Sequence, residues 1–477
     1  MSTTIRTLDG DVFDLPITDI DQLRNSVNGG VLTMGGPGYD EARTIWNAMI
    51  DRRPALIARC RTAADVSAVV RFAADRRLLL AVRGGGHNIA GNAVCDGGLM
   101  IDLSLMKAVQ VNPSAREARV EPGATLGDFD AAAQKFALAT PLGVNSTTGV
   151  AGLTLGGGWG WLSRRLGLTS DNLLEADVVT ATGDVVRASA DADADLFWAI
   201  RGGGGNFGVA TSFRFQLHPI GPEVLSGLIV HPLADAPRVL RFLRDFLPGT
   251  PEDFVCWFVM RLAPPLPFLP SEWHGKPILA LAVCCTAPIA EAERIAEPLR
   301  AFGKPIADVI APHPFVAWQQ ILDPLLTPGA RNYWKSHDFA ELSDGLIDVL
   351  VDYATRIPDP QTEIAFAQLG GAIARVPVEA SAYGHRNAEF ALNVHGRWAD
   401  PSKDALCIEW ARALHRASAP FSTGGVYINF LTQEEGDRIR SAYGANYDRV
   451  VALKARYDPA NLFRMNQNIK ATPAAGA

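Results

Sequence analysis

Cysteine is scarce, with six in 477 residues: Cys60, Cys95, Cys256, Cys284, Cys285 and Cys407. None sits in a C-x-x-C pair, so a disulfide framework, a zinc site and a dithiol redox centre are all unsupported, and no metal is expected. Long apolar runs are also lacking. No stretch approaches the ~18 uncharged apolar residues that a membrane-crossing helix needs. The opening segment, residues 1–10, has no apolar core of signal-peptide length, which makes a cytoplasmic location without membrane association the expectation. Positive charge is in deficit, 44 Lys+Arg against 51 Asp+Glu for a net of -7, so nucleic acid is not an expected partner. Three catalytic signatures are missing. There is no H-E-x-x-H and no G-x-S-x-G. The Gly-Lys pairs, Gly275-Lys276 and Gly303-Lys304, are both followed by proline, which removes a Walker A loop.

What the chain has is clustered glycine, 44 residues in all. The first cluster is Arg83-Gly-Gly-Gly-His-Asn-Ile-Ala-Gly91, fed by the apolar run Leu78–Val82 and followed by Leu99, Ile101 and Leu103, whose alternation predicts a half-buried strand. The second runs from Gly143 to Gly160 and the third is Gly202-Gly-Gly-Gly-Asn-Phe-Gly208. Thr62 and Thr125 each precede a run with helical apolar spacing, residues 176–186 read as a hairpin turning at Gly183-Asp184, and a helix is expected over Tyr447–Tyr457. Glycine permits close approach and positive φ, so successive N–H groups can converge on an anion. Three such loops within one region point to a large ligand wrapped by backbone; the plain alternative is three tight turns. The G-x-G-x-x-G at Gly203, Gly205 and Gly208 leads into the β-branched and aromatic run Val209–Leu217, not into a helix, so a Rossmann dinucleotide site is rejected there. From about residue 222 the glycine clusters end, proline becomes frequent, and apolar strands alternate with charged helical stretches as in an α+β domain.

Taken in order, the motifs resemble the berberine-bridge-enzyme-like FAD-linked oxidases of the vanillyl-alcohol-oxidase type. They are the 83–91 loop, the 143–160 stretch, Ser170-Asp-Asn172, Asp195 through Gly208, and the tail Tyr457-Asp-Pro to Asn466-Gln-Asn468. The resemblance covers roughly 50–220 and 420–470 and is loose between them. It implies an α+β protein: a two-subdomain FAD-binding domain over 1–220, a substrate domain over 221–420 with an antiparallel sheet covered by helices, and a return to the FAD domain over 421–477. It further implies that Arg83, Gly84, Gly85, Gly86, His87, Asn88 and Gly91 clasp the FAD diphosphate, with His87 joined covalently to the flavin 8-methyl carbon. Asn145, Thr147, Thr148, Gly149, Val150, Gly152, Gly158, Gly160, Asn172, Gly208, Tyr427, Asn466 and Asn468 complete the implied cofactor set. Gln467 lies in the same polar run, which would otherwise be a surface tail.

The chain departs from the family pattern twice. Asn145 stands where doubly linked relatives carry cysteine, and an amide is no thiolate nucleophile, so a single link through His87 is expected. In Tyr427-Ile-Asn-Phe430, phenylalanine replaces the second tyrosine that can take the substrate's proton. Tyr427 and Asn429 remain as the catalytic candidates, and a tyrosine base needs help at neutral pH. Val150 occupies the place of the small residue that leaves room for dioxygen. Gln368, Asn393 and Trp398, with Tyr333, Trp334 and His395, are candidate lining for a substrate pocket; each also reads as a structural residue. The expected activity is removal of hydride from an alcohol or amine carbon of a small sugar, alkaloid or polyketide-like molecule, with dioxygen reoxidising the flavin to give peroxide. A flavin dehydrogenase with another acceptor, and a flavin-binding protein without turnover, are the alternatives.

Overall fold

The computed structural model describes residues 2–470. Near the N-terminus, Leu56–Arg59, Leu99–Asp102 and Leu80–Arg83 pair in parallel, with Val31–Thr33 antiparallel at one edge. Helix Ala63–Asp75 covers this sheet, and its start is fixed by the Thr62 side chain accepting from the Asp65 N–H at 3.1 Å. Leu99–Asp102 is buried at every residue. The half-buried alternation expected there is therefore corrected: a central parallel strand is covered on both faces, and its apolar run is continuous.

A second sheet is antiparallel, in the order Val185–Ser189, Leu173–Val179, Val209–Gln216, Glu117–Val120, Val109–Asn112. The hairpin read across 176–186 is its edge, with Val179 opposite Val185. The run after Gly208 is a strand, as required for rejecting a Rossmann site. Helix Leu126–Ala133 carries a capping box between Thr125 and Asp128.

The third sheet holds eight strands, all antiparallel and all drawn from residues 223–398. Its central order is Glu223–Pro232, Pro277–Cys285, Phe254–Leu262, Glu363–Gln368, Phe390–Trp398, Arg331–Phe339. Helices Ala236–Phe246, Ile289–Arg300, Asp344–Ala354 and Asp404–Ser418 bury their apolar faces on one side of it, in a core that includes Leu240, Leu281, Ile347 and Trp398. The other side turns toward the two smaller sheets. Between them lies an aromatic layer that includes Trp159, Trp161, Trp257 and Tyr427. The chain then returns through Tyr447–Tyr457, which packs on helix Ala194–Ile200. Among the described residues, no helix is long and apolar enough to cross a membrane.

Candidate functional site

A cavity of about 400 Å³ separates the two smaller sheets from the free face of the large one. All three glycine clusters reach it, through Gly84, Gly85 and Gly86, through Gly143, Gly149 and Gly152, and through Gly204, Gly205 and Gly208. The first two clusters touch backbone to backbone: a Cβ on Gly85 would run into Gly149, and one on Gly149 into Gly85. Gly152 and Gly205 have open space where a side chain would be.

His87 lines this cavity beneath Trp46, whose indole stacks on the imidazole at 4.7 Å. Its protonation pattern follows from the partners. Asn145 Oδ1 accepts the Thr147 backbone N–H at 3.0 Å, so that atom is the carbonyl oxygen. The Thr147 hydroxyl spends its one proton on the same oxygen at 2.6 Å. Thr147 Oγ1 must then accept from His87 Nε2, 2.9 Å away. Nε2 therefore carries the ring proton, and Nδ1 keeps its lone pair with no hydrogen bond among the described residues. Burial, seconded by Arg397, pushes the imidazole down to about 3, so it is neutral at physiological pH.

Asn88, Asn145, Thr148, Tyr427, Asn429, Asn466 and Asn393 also line the cavity. Tyr427 is buried, and its oxygen accepts from the Gly158 N–H at 3.2 Å and from Asn429 Nδ2 at 2.8 Å. Burial raises the phenol far above its ordinary value despite those two donors. Phe430 stands edge-on to Tyr427 and Trp334. Among the described residues, Asn145 Nδ2 and Asn466 Oδ1 are buried at the cavity without partners, and so is Asn468 Oδ1 outside its lining. Unpaired buried amides require partners, and a polar heterocycle edge supplies both donors and acceptors. With the glycine cradle, this donor set fits an FAD.

Several expected residues serve the site from outside it. Arg83 pairs with Asp102 and donates to the Ala42 carbonyl under the first loop. A Cβ on Gly91 would meet Ile50, and one on Gly160 would meet the Leu142 carbonyl. Asn172 bridges the Leu166 and Leu168 carbonyls, each at 2.9 Å. Three assignments are corrected. Val150 packs in the core under the second sheet, and its neighbours Ala151 and Gly152 face the cavity instead. Trp398 lies on the helix-covered face and donates to Asp404 at 2.7 Å, and Gln368 is buried with its oxygen on the Cys256 N–H. Strand alternation is the reason. Ala391, Asn393 and His395 point to the cavity, so Trp398 cannot.

That face carries a polar row of which sequence reasoning named Trp334 and His395 and missed Arg261 and Glu363. Arg261, Glu363, His395 and Trp334 are direct neighbours across four adjacent strands. Arg261 Nη1 donates to Glu363 Oε2 at 2.6 Å, and His395 Nδ1 lies 3.1 Å from Glu363 Oε1. Burial alone would raise the Glu363 carboxyl, yet Arg261 and His395 hold it down to about 2. Burial lowers His395, against the pull of Glu363. Around the row the wall is apolar, with Leu228, Val230, Trp257, Val259 and Ala280.

Comparison with known proteins agrees with this geometry. Residues 54–189 match the model of an FAD binding domain, and residues 426–470 match the berberine and berberine-like model. An FAD-linked oxidoreductase of Dictyostelium discoideum is 32% identical over 469 residues, covering 94% of this chain and 96% of that protein. The (R)-6-hydroxynicotine oxidase of Paenarthrobacter nicotinovorans is 33% identical over 462 residues, covering 93% and 97%. The crystal structure of 6-hydroxy-D-nicotine oxidase from Arthrobacter nicotinovorans superposes with a TM-score of 0.84 at 29% identity, covering 94% of this chain and 99% of that one.

Proposed function

The chain belongs to the berberine-bridge-enzyme-like family of FAD-linked oxidoreductases, and from that premise we propose that it is an oxidase of a small organic alcohol or amine, with FAD linked once, through His87 Nδ1. Bound in the cradle, FAD supplies the acceptor that takes hydride from a substrate carbon and returns the electrons to dioxygen as peroxide. The observation that carries the reading is the neutral His87 ring, with Nε2–H spent on Thr147 and the Nδ1 lone pair left free at a cavity ringed by glycine.

The residues divide the work by chemistry. The amides of Gly84–His87 offer N–H groups to the diphosphate. Asn145 and Asn466, which line the cavity, offer their unpaired amide atoms to the ring system. Tyr427 and Asn429 form one hydrogen-bonded unit at the cavity wall, and the raised phenol makes Tyr427 a donor to substrate or cofactor at neutral pH, not the proton acceptor. Asn145 in place of a thiol leaves His87 as the single attachment point. Oxidation of an amine finds support in the names of the nicotine-oxidising relatives, and the sheet-side wall favours an apolar substrate.

The test is in-gel flavin fluorescence after acid denaturation. Wild type is expected to keep its yellow group and His87→Ala to lose it; a colourless wild type would overturn the reading. Anaerobic bleaching followed by air separates the oxidase from a dehydrogenase, since slow recovery of colour would favour the latter. Silence toward every alcohol and amine tried would favour a flavin-binding protein without turnover.

A further inference from the structure

With Phe430 unable to accept a proton and Tyr427 buried as a phenol, the cavity needs another group to receive the proton lost when a carbinol or secondary amine is oxidised. The row across the large sheet supplies one. A carboxylate only accepts hydrogen bonds, so the 3.1 Å contact places the His395 proton on Nδ1, facing Glu363. Nε2 is then the lone-pair nitrogen, buried and without a partner among the described residues. Glu363 is held in place by Arg261 on its other oxygen. The His395 ring lines the cavity and stands edge-on to Trp334 at 4.7 Å; Trp334 in turn stands edge-on to Trp46, which covers His87. A lone buried histidine is commonly a packed core residue. This one instead has a carboxylate orienting it, a guanidinium fixing the carboxylate, and an empty acceptor in the chamber that holds the flavin-linking residue.

We propose that His395 is the proton acceptor for the oxidation, oriented by Glu363 and Arg261, and that its substrate is an apolar carbinol or secondary amine and not a saccharide. The inference rests on the oxidase reading above. In the step, the substrate C–H bond breaks with both electrons leaving as hydride to the oxidised flavin. The O–H or N–H bond breaks with its proton passing to His395 Nε2, and the carbon–oxygen or carbon–nitrogen double bond forms between them. Dioxygen then removes the two electrons as peroxide, and the proton on His395 returns to solvent. The wall decides the substrate class: Leu228, Val230, Val259, Ala280 and Ala365 offer a sugar no hydroxyl partner. Asn393 Oδ1, Trp334 Nε1 and Trp257 Nε1, unpaired among the described residues, allow a few polar groups beside the reacting carbon.

The test uses the flavin-loaded protein in two arms. In the first, anaerobic flavin bleaching is followed with 4-methoxybenzyl alcohol, 1-phenylethanol, N-methylbenzylamine and glucose. His395→Gln is expected to slow bleaching by the aryl substrates about a hundredfold or more, with acid-stable flavin unchanged. Bleaching should also lose rate as pH falls and His395 becomes protonated. The charged groups facing the ring are Glu363, Arg261 and Arg397. Glu363→Gln removes the one that favours imidazolium, so the acid limb should move to lower pH, which a packing role would not produce. In the second arm, phenacyl bromide, an apolar alkylating agent, is expected to tag the His395 peptide in wild type and not in His395→Gln. Equal bleaching by His395→Gln and wild type, or no tag on His395, would overturn the assignment. Bleaching by glucose alone would overturn the substrate class. A yellow wild type bleached by nothing would sink the oxidase reading, and the assignment with it.

Discussion

At the level of single residues, the decisive question is which nitrogen of His87 is free, and a side chain two residues from Asn145 answers it. Thr147 Oγ1 can accept from Nε2 only because its own proton is fixed on Asn145 Oδ1. Thr147→Val removes that acceptor and lets the ring adopt the other tautomer, which presents N–H where the lone pair should be. Acid-stable flavin per folded protein is expected to drop several-fold in Thr147→Val and to recover in Thr147→Ser, which keeps the hydroxyl. Equal incorporation in all three would show that the tautomer is not controlled here. The pH response follows from the same burial. The imidazole is depressed to about 3 from an ordinary 6.5, so its nucleophilic neutral form persists well below neutrality. Attachment measured on apoprotein with added FAD is expected to be flat from about pH 8 to about pH 5, where a free imidazole would already be mostly protonated. A limb near 6.5 would contradict it. The place of His87 at the cavity was legible in the sequence, because its glycine neighbours mark a loop whose amides can converge on an anion. The role of Thr147 as a hydrogen-bond acceptor was not, because it depends on where one hydroxyl proton goes.

Elements were legible where their punctuation is local. The Thr62 and Thr125 caps start helices as expected, and Tyr447–Tyr457 is helical as read. Strand faces were not, since parity is set by which side the helices cover. That is why Trp398 and Gln368 were placed at the cavity while Glu363 and Arg261 were overlooked. The row they form joins strands 102 and 32 residues apart in sequence, a distance over which spacing carries no signal. The C-terminal tail is also held by a device that local pattern does not reveal. Lys454, fully buried, donates to Asp458 at 2.6 Å, to the Asn206 carbonyl at 2.8 Å and to the Phe463 carbonyl at 3.2 Å. Asp458 in turn accepts the N–H groups of Leu462 and Phe463, each at 2.8 Å. This pair locks the third glycine cluster, the last helix and the Asn466–Asn468 segment together. Lys454→Met would leave a buried carboxylate uncompensated and is expected to cost about 3–5 kcal/mol in denaturant unfolding. Flavin should be lost from the noncovalent His87→Ala background more readily as the tail loosens. A loss under about 1 kcal/mol would mean that water replaces the ammonium.

Across the molecule as a whole, the large sheet and its covering helix meet the returning chain partly through imidazoles that burial keeps neutral near pH 7. His337 on the sheet and His415 on its covering helix stack at 4.0 Å, nearly parallel, and Arg438 from the returning chain reaches His415 Nε2 at 3.1 Å and the Ser336 carbonyl at 3.0 Å. Burial, then the neighbouring charges, pushes His337 down to about 3 and His415 down to about 4. A histidine whose folded value is depressed is neutral in the fold while the unfolded chain takes up a proton near 6.5. Its contribution is therefore fully present above that value and is lost as pH falls toward the folded values. Two buried carboxyls act in the opposite sense. Burial raises Asp130 to about 7 and Asp338 to about 6, so their contribution is present at low pH and is lost as pH rises through those values. The thermal midpoint of wild type is the sum of both trends, and a variant isolates one of them. His415→Gln removes a titrating ring from the stack while keeping a polar side chain. Between about pH 7 and about pH 5, its midpoint is expected to fall by a few degrees less than that of wild type, by differential scanning calorimetry on matched samples. Parallel slopes would mean that the acid response originates elsewhere. A flatter slope would place it where the substrate sheet and its covering helix meet the returning chain, through Arg438.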